Sequence, residues 1–109
     1  MKILLGGPRC GKTTKCIEWL KKDLEHRILL VHSREEKRRL ETQYTLPGNV
    51  VHTWDSYRES ILGLHDKPPE AMIDNSEEFI HRHFRGVNVK GITMTVEDWE
   101  ILGTRNNKD

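Results

Sequence analysis

The chain is poor in cysteine, in aromatic residues and in net charge, and each shortage narrows its function. Its two cysteines, Cys10 and Cys16, share one short segment. They are too close together to staple a framework, which fits a reducing compartment and a cytoplasmic location. Aromatic residues at 6% and apolar residues at 35% of 109 positions supply one small core. A single domain of modest stability follows, one that gains from a bound ligand, a protein partner or self-association. A formal net charge of +1 argues against a broad basic grip on nucleic acid, although charged residues at 32% leave room for a local patch. No apolar run approaches the length of a membrane span, and the first residues read as a strand rather than a signal peptide. Internal repeats and low-complexity segments are missing. His81 and His83, at i and i+2, fall on different sides of a helix, and no Cys or His pair stands at ligand spacing, which argues against zinc.

What the chain does contain is Gly6-Gly7-Pro8-Arg9-Cys10-Gly11-Lys12-Thr13, a match to G-x-x-x-x-G-K-[ST] at every fixed position. Chance coincidence of the four fixed positions in a chain of this length is about 0.4%. Gly6 and Gly11 allow positive φ, so that successive N–H groups can converge on an anion. Lys12 adds a positive charge for the β and γ phosphates, and the Thr13 hydroxyl is suited to Mg²⁺. The helix starting near Gly11 adds its unpaired N–H groups. Lys2-Ile3-Leu4-Leu5 before the loop reads as a buried strand, and Cys16, Ile17, Leu20 and Leu24 after it recur at helical spacing.

This strand, loop and helix resembles the P-loop NTPase superfamily, and Gly-Pro-Arg-Cys-Gly-Lys-Thr-Thr is similar to loops of its ATPase branch, which includes AAA-type ATPases and helicase motor domains. The resemblance implies a three-layer α/β domain that binds ATP or another nucleoside triphosphate with Mg²⁺. Its nucleotide-binding set would be Gly7, Pro8, Arg9, Cys10, Gly11, Lys12, Thr13 and Thr14.

Further along, Arg27 to His32 reads as a second strand, apolar on both faces. Ser33-Arg34-Glu35-Glu36 is a capping box opening a charged helix to about Tyr44, with Leu40 and Tyr44 as its apolar seam. Arg34, Lys37, Arg38 and Arg39 could meet phosphates of a nucleic acid, but pairs such as Glu35 with Arg39 describe a solvated face equally well. Leu46 to Asn49 is a turn and Val50 to Trp54 a third strand. Asp55 or Thr53 caps a helix from Ser56 to about Leu64, with Tyr57, Ile61 and Leu64 buried. Val-Val-His-Thr-Trp-Asp-Ser-Tyr is similar to a segment that lies near single-stranded DNA in superfamily-one helicases, while core packing by Trp54 and Tyr57 accounts for the same residues. His65 to Pro69 is a loop.

Glu70 to Asn75 is a short apolar run ending in Asp74, which resembles a Walker B strand whose carboxylate holds Mg²⁺ at the strand's C-terminal edge. Asp74 or Asn75 could also simply cap the next helix. The family's catalytic Glu after this Asp is replaced by Asn75, which orients water but takes no proton, leaving Glu77, Glu78 or Asp55 as substitutes. Glu77 to Phe84 reads as a helix with Phe79, Ile80, His83 and Phe84 inward, ended by Gly86. Val87 to Thr95 reads as a fifth strand with a bulge or close approach at Gly91. The resemblance gives Thr93 or Thr95 a γ-phosphate-sensing role, whereas Thr95 with Asp98 would cap a last helix burying Val96, Trp99 and Leu102 and ending at Gly103.

The expected architecture is α/β: a three-layer, open, mostly parallel sheet of about five strands with helices on both faces. The domain spans residues 1–103, and residues 104–109 form a frayed tail. If the helicase resemblance holds, the fifth strand lies between the first and the fourth. Function is expected to be Mg-nucleotide binding with slow or partner-dependent hydrolysis, as in a viral or mobile-element remnant of a helicase or AAA-type motor. The catalytic set is Lys12, Asn75, Glu77 and Glu78, and the metal set Thr13 and Asp74. The length leaves no room for a second motor domain, so an arginine finger would come in trans or from Arg105. The alternative is an interaction or regulatory protein without turnover. A nucleotide kinase is weaker, since no segment is long enough for a lid, and GTPase signatures are missing.

Overall fold

The computed structural model describes residues 1–6, 10–60, 69–94 and 96–102. In chain order the elements are β1 (Lys2–Leu5), α1 (Lys12–Lys21), β2 (Arg27–Val31), α2 (Arg34–Tyr44), β3 (Val51–Thr53), α3 (Trp54–Ser60), β4 (Glu70–Ile73), α4 (Ser76–His83) and β5 (Asp98–Ile101). Every strand pairing is parallel, as the alternation of strands and helices demands. The five strands, however, form two sheets rather than the expected one: β1 pairs with β5, and β2 lies between β3 and β4.

The centre of the molecule is β2, whose Ile28, Leu29, Leu30 and Val31 are all buried; strands flank it on both edges, and residues of α1 and α2 pack against its side chains. Cys16, Ile17 and Leu20 of α1, Leu40 of α2, and Val50 and Val51 close around Leu29 and Val31. Leu20, Leu29 and Leu40 are fully enclosed, and burying each contributes about 2 kcal/mol. Leu24, expected on the inner stripe of the first helix, is exposed, since α1 stops at Lys21.

α2 starts as its sequence predicts. The Ser33 hydroxyl accepts from the Glu36 N–H at 3.1 Å, one half of the capping box. The Glu36 side chain instead grips Arg39 through both carboxylate oxygens, at 3.0 and 2.7 Å, and Lys37 pairs with Glu41. The expected Glu35–Arg39 pair is thus replaced by Glu36–Arg39. Leu40 is buried and Tyr44 packs against the core, as the seam requires. At the start of α3 the Thr53 hydroxyl accepts from the Ser56 N–H at 3.3 Å, so Thr53 rather than Asp55 is the cap. Tyr57 is half-buried and packs on His52; Ile61 and Leu64 lie outside the described residues.

The largest departures are at the C-terminal end. Residues 87–94 form no strand, and Val87, Ile92 and Met94 are exposed. A β-branched composition does not by itself make a strand, and the segment that pairs with β1 is Asp98–Ile101. No bulge or close approach exists at Gly91, where an added Cβ would meet open space. The expected last helix is therefore β5: Asp98-Trp99-Glu100-Ile101 alternates polar and apolar, and four residues satisfy either period. Lys2 lies within ion-pair distance of Asp98 and Glu100, Lys15 reaches Glu100, and the Leu102 N–H donates to the Leu5 carbonyl at 2.7 Å. Leu102 is buried as expected, but Trp99 is 60% exposed. The fifth strand thus lies beside the first, and no ladder joins it to β4 among the described residues. In α4 no residue is fully buried; Phe79 and Ile80 are half-buried, while His83 and Phe84 are exposed. That helix rests at the end of the sheet, on Trp54, rather than on the core.

Candidate functional site

Two segments far apart in sequence meet at the C-terminal ends of β1 and β4. The first is the turn into α1. Gly11 has φ 92° and ψ 18°, a left-handed conformation that favours glycine, and it places Lys12 at the first position of the helix. Gly6 acts differently from expectation, because its φ is not positive: its requirement is for space. A Cβ added at Gly6 would lie 2.2 Å from the Cys10 Sγ and 3.1 Å from the Leu102 carbonyl oxygen. The Lys12 ammonium donates to the Gly6 carbonyl at 3.0 Å and approaches the Cys10 Sγ at 3.5 Å, so it spans the loop from helix end to first glycine. Gly7, Pro8 and Arg9 lie outside the described residues.

The second segment is the residue that follows β4. The Asp74 N–H donates to the Leu30 carbonyl at 3.1 Å, continuing the parallel ladder one step past Ile73. That bond fixes the side chain at the sheet's edge, where Asp74 is only 3% exposed. The Thr13 hydroxyl donates to Asp74 Oδ2 at 2.9 Å, across 61 residues of chain. Burial raises the Asp74 carboxyl above its ordinary range. The Thr13 hydrogen bond, the Asn75 N–H and the Lys12 charge pull it down, while the charge of Glu36 pushes it up. Cys16 is one helical turn beyond Thr13, and burial together with the Asp74 charge pushes its thiol up to about 12.

The structure therefore brings Lys12, Thr13 and Asp74 together beside Gly6, Cys10 and Gly11. Thr14 lies on the exposed face of α1. Asn75 follows Asp74 directly, half-buried, with φ 58° and ψ 59°, and its carbonyl accepts from the Glu78 N–H at 3.0 Å. It is the N-cap of α4 by position, without a side-chain capping bond. Glu77 and Glu78 are exposed on the first turn of that helix, and Asp55 is exposed on α3. Thr93 is exposed on the irregular stretch 91–94 and ends no strand, and Thr95, Gly103 and Arg105 lie outside the described residues.

Sequence reasoning missed three neighbours of Asp74. Glu36 and Arg39 of α2 share its field, and Arg39 holds the Glu36 carboxyl below its usual range. Cys16 had a signal, since i and i+3 from Thr13 share a helix face. Glu36 and Arg39 had none, because the packing of α2 beside β2 decides their distance from Asp74. Chemically, a hydroxyl and a buried carboxylate 2.9 Å apart, with an ammonium nearby, offer hard oxygen donors beside a positive charge. Among the described residues no group of three or more His, Cys, Asp or Glu could hold a metal by itself. No protein-family model matches the chain, and no curated protein or solved structure matches it either.

Proposed function

We propose that the chain binds a nucleoside triphosphate with Mg²⁺ on the loop Gly6–Thr13, and that hydrolysis there is slow or dependent on a partner. The observation that carries this reading is the Thr13–Asp74 hydrogen bond. It joins the hydroxyl of a G-x-x-x-x-G-K-[ST] loop to an acidic residue at the end of another parallel strand. Two oxygen donors suit a hard cation that takes its remaining ligands from water and phosphate. Bound Mg²⁺ would supply charge neutralisation at the β and γ phosphates. Thr13 and Asp74 would hold it, and Lys12 would neutralise phosphate charge from the loop side. Asn75 can hold a water by its amide but removes no proton, which supports slow turnover. The three-layer P-loop arrangement belongs to this same reading.

A second reading, an interaction protein without turnover, draws on the exposed apolar side chains Leu5, Ile73 and Ile101 at strand ends. Calorimetry with ATP, GTP and a non-hydrolysable analogue in Mg²⁺, followed by a turnover assay on the same sample, separates the two. Lys12→Ala is expected to weaken Mg-ATP binding at least tenfold, about 1.4 kcal/mol. Equal affinity in the wild type and the variant would remove the nucleotide reading.

A further inference from the structure

In β1 and β5 the charged side chains lie on the side of α1. Lys2 stands 4.0 Å from Asp98 and 3.4 Å from Glu100, and Lys15 of α1 reaches Glu100 at 3.6 Å. Leu4 points the same way and packs against the core. Successive side chains alternate across a strand, and the register sets Ile3 beside Trp99 and Leu5 beside Ile101, so these four share the opposite face. Leu5 is 48%, Trp99 60% and Ile101 44% exposed there. The order is reversed from that of a sheet open to water, whose apolar side meets the core and whose polar side meets solvent. β4 repeats it: Met72 packs against the core, so Ile73, 49% exposed, points away from that core.

The open face offers no ionisable side chain from β1 or β5, so a partner recognised by its charge finds nothing there to pair with. A second copy of the chain does match it. The copy presents the same uncharged face about a twofold axis, and a formal net charge of +1 does not hold two copies apart. Face-to-face packing of two sheets buries such surfaces. The area agrees: Leu5, Ile73, Trp99 and Ile101 expose on the order of 400 Å² in each copy. Two copies bring about 800 Å² of apolar surface, and homodimer interfaces are about two-thirds apolar, so the whole interface comes to about 1,200 Å². That is the lower end of the range for stable complexes. Trp99, the most exposed of the four, is the anchor, because tryptophan is enriched among the residues that dominate binding energy.

We propose that the chain forms a twofold homodimer through this face, with Trp99 as its anchor and Leu5, Ile73 and Ile101 around it. The dimer does not rest on the nucleotide reading, and its test contains no nucleotide. In sedimentation of the full chain from about 1 µM to about 300 µM, the mass is expected to rise from 12.8 kDa toward twice that value. A midpoint in the micromolar range suits an interface of this area. Trp99→Lys is expected to weaken association at least tenfold, while Phe84→Lys, which charges a similarly exposed position beside α4, leaves it unchanged. Circular dichroism and melting of both variants check that they fold. A dilution series of ¹⁵N-labelled wild type needs no folded variant. Its Trp99 indole N–H signal, assigned with Trp99→Phe, is expected to move with concentration at the same midpoint, while that of Trp19, stacked on Arg27, stays. A mass of 12.8 kDa at every concentration overturns the dimer, and flotation of that monomer with phosphatidylcholine vesicles would give the face to a lipid surface instead. A dimer that Trp99→Lys leaves as tight as the wild type, or a Trp99 signal indifferent to concentration, overturns this face as the interface.

Discussion

The Thr13 hydroxyl and the Asp74 carboxylate are 2.9 Å apart although 61 residues separate them along the chain. Their contact closes α1 onto the end of β4 and buries a carboxyl whose ionisation the surroundings oppose. Because the folded state holds the Asp74 proton more tightly than the unfolded chain does, its stabilising contribution is full below the ordinary aspartate pKa, about 3.9. That contribution is lost as pH rises through the raised folded value. At pH 7 the ionised side chain therefore works against stability.

Asp74→Asn is accordingly expected to melt at a higher temperature than the wild type at pH 7, and the difference should shrink toward pH 3. Thermal unfolding of both proteins across that range checks it. The same variant should lose the Mg²⁺-dependent part of nucleotide affinity. A variant less stable than the wild type at pH 7 would mean that burial is not what dominates at Asp74.

Asn75 occupies a left-handed conformation, which Asn tolerates far better than Glu does. The backbone thus gives a local reason for an amide at position 75. Wild-type turnover is expected below about 1 per second. Asn75→Glu should raise hydrolysis without tightening nucleotide binding, at a cost of about 1 kcal/mol in denaturant unfolding. A basal rate untouched by this change would take the role in hydrolysis away from position 75.

Gly6 is required by the room it leaves. Gly6→Ala pushes a methyl into the Cys10 side chain and against the Leu102 carbonyl, for an expected loss of about 1–3 kcal/mol. Cys10→Ala added to it should restore part of that loss, since the backbone contact to Leu102 remains. A double-mutant cycle by urea unfolding measures the coupling. Strict additivity would show that the two residues do not press on each other.

The two thiols should react unequally. Cys16 is 3% exposed with its pKa pushed up to about 12, so it stays an inert thiol at neutral pH. Cys10 is half-buried at the mouth of the loop. Timed alkylation with peptide mapping is expected to label Cys10 first, and Mg-nucleotide should slow it. A Cys10 rate indifferent to nucleotide would count against occupancy of the loop.

Local chemistry was legible without coordinates. The turn at Gly11, the Ser33 cap, the buried strand Arg27–Val31 and the placement of Asp74 after a strand all depend on residues within a few positions of one another. The sequence by itself determined an α/β chain of parallel strands carrying a G-x-x-x-x-G-K-[ST] loop. Only the tertiary structure decided which strand sits beside which. Val87 to Met94 has the composition of a strand, yet the segment that pairs with β1 is Asp98–Ile101, where Lys2 meets its acidic residues and the Leu102 N–H finds the Leu5 carbonyl. Which segment pairs with a strand depends on cross-strand partners far away in the chain. The same non-locality placed Glu36 and Arg39 in the field of Asp74, because helix packing fixes distances that no spacing along the chain encodes.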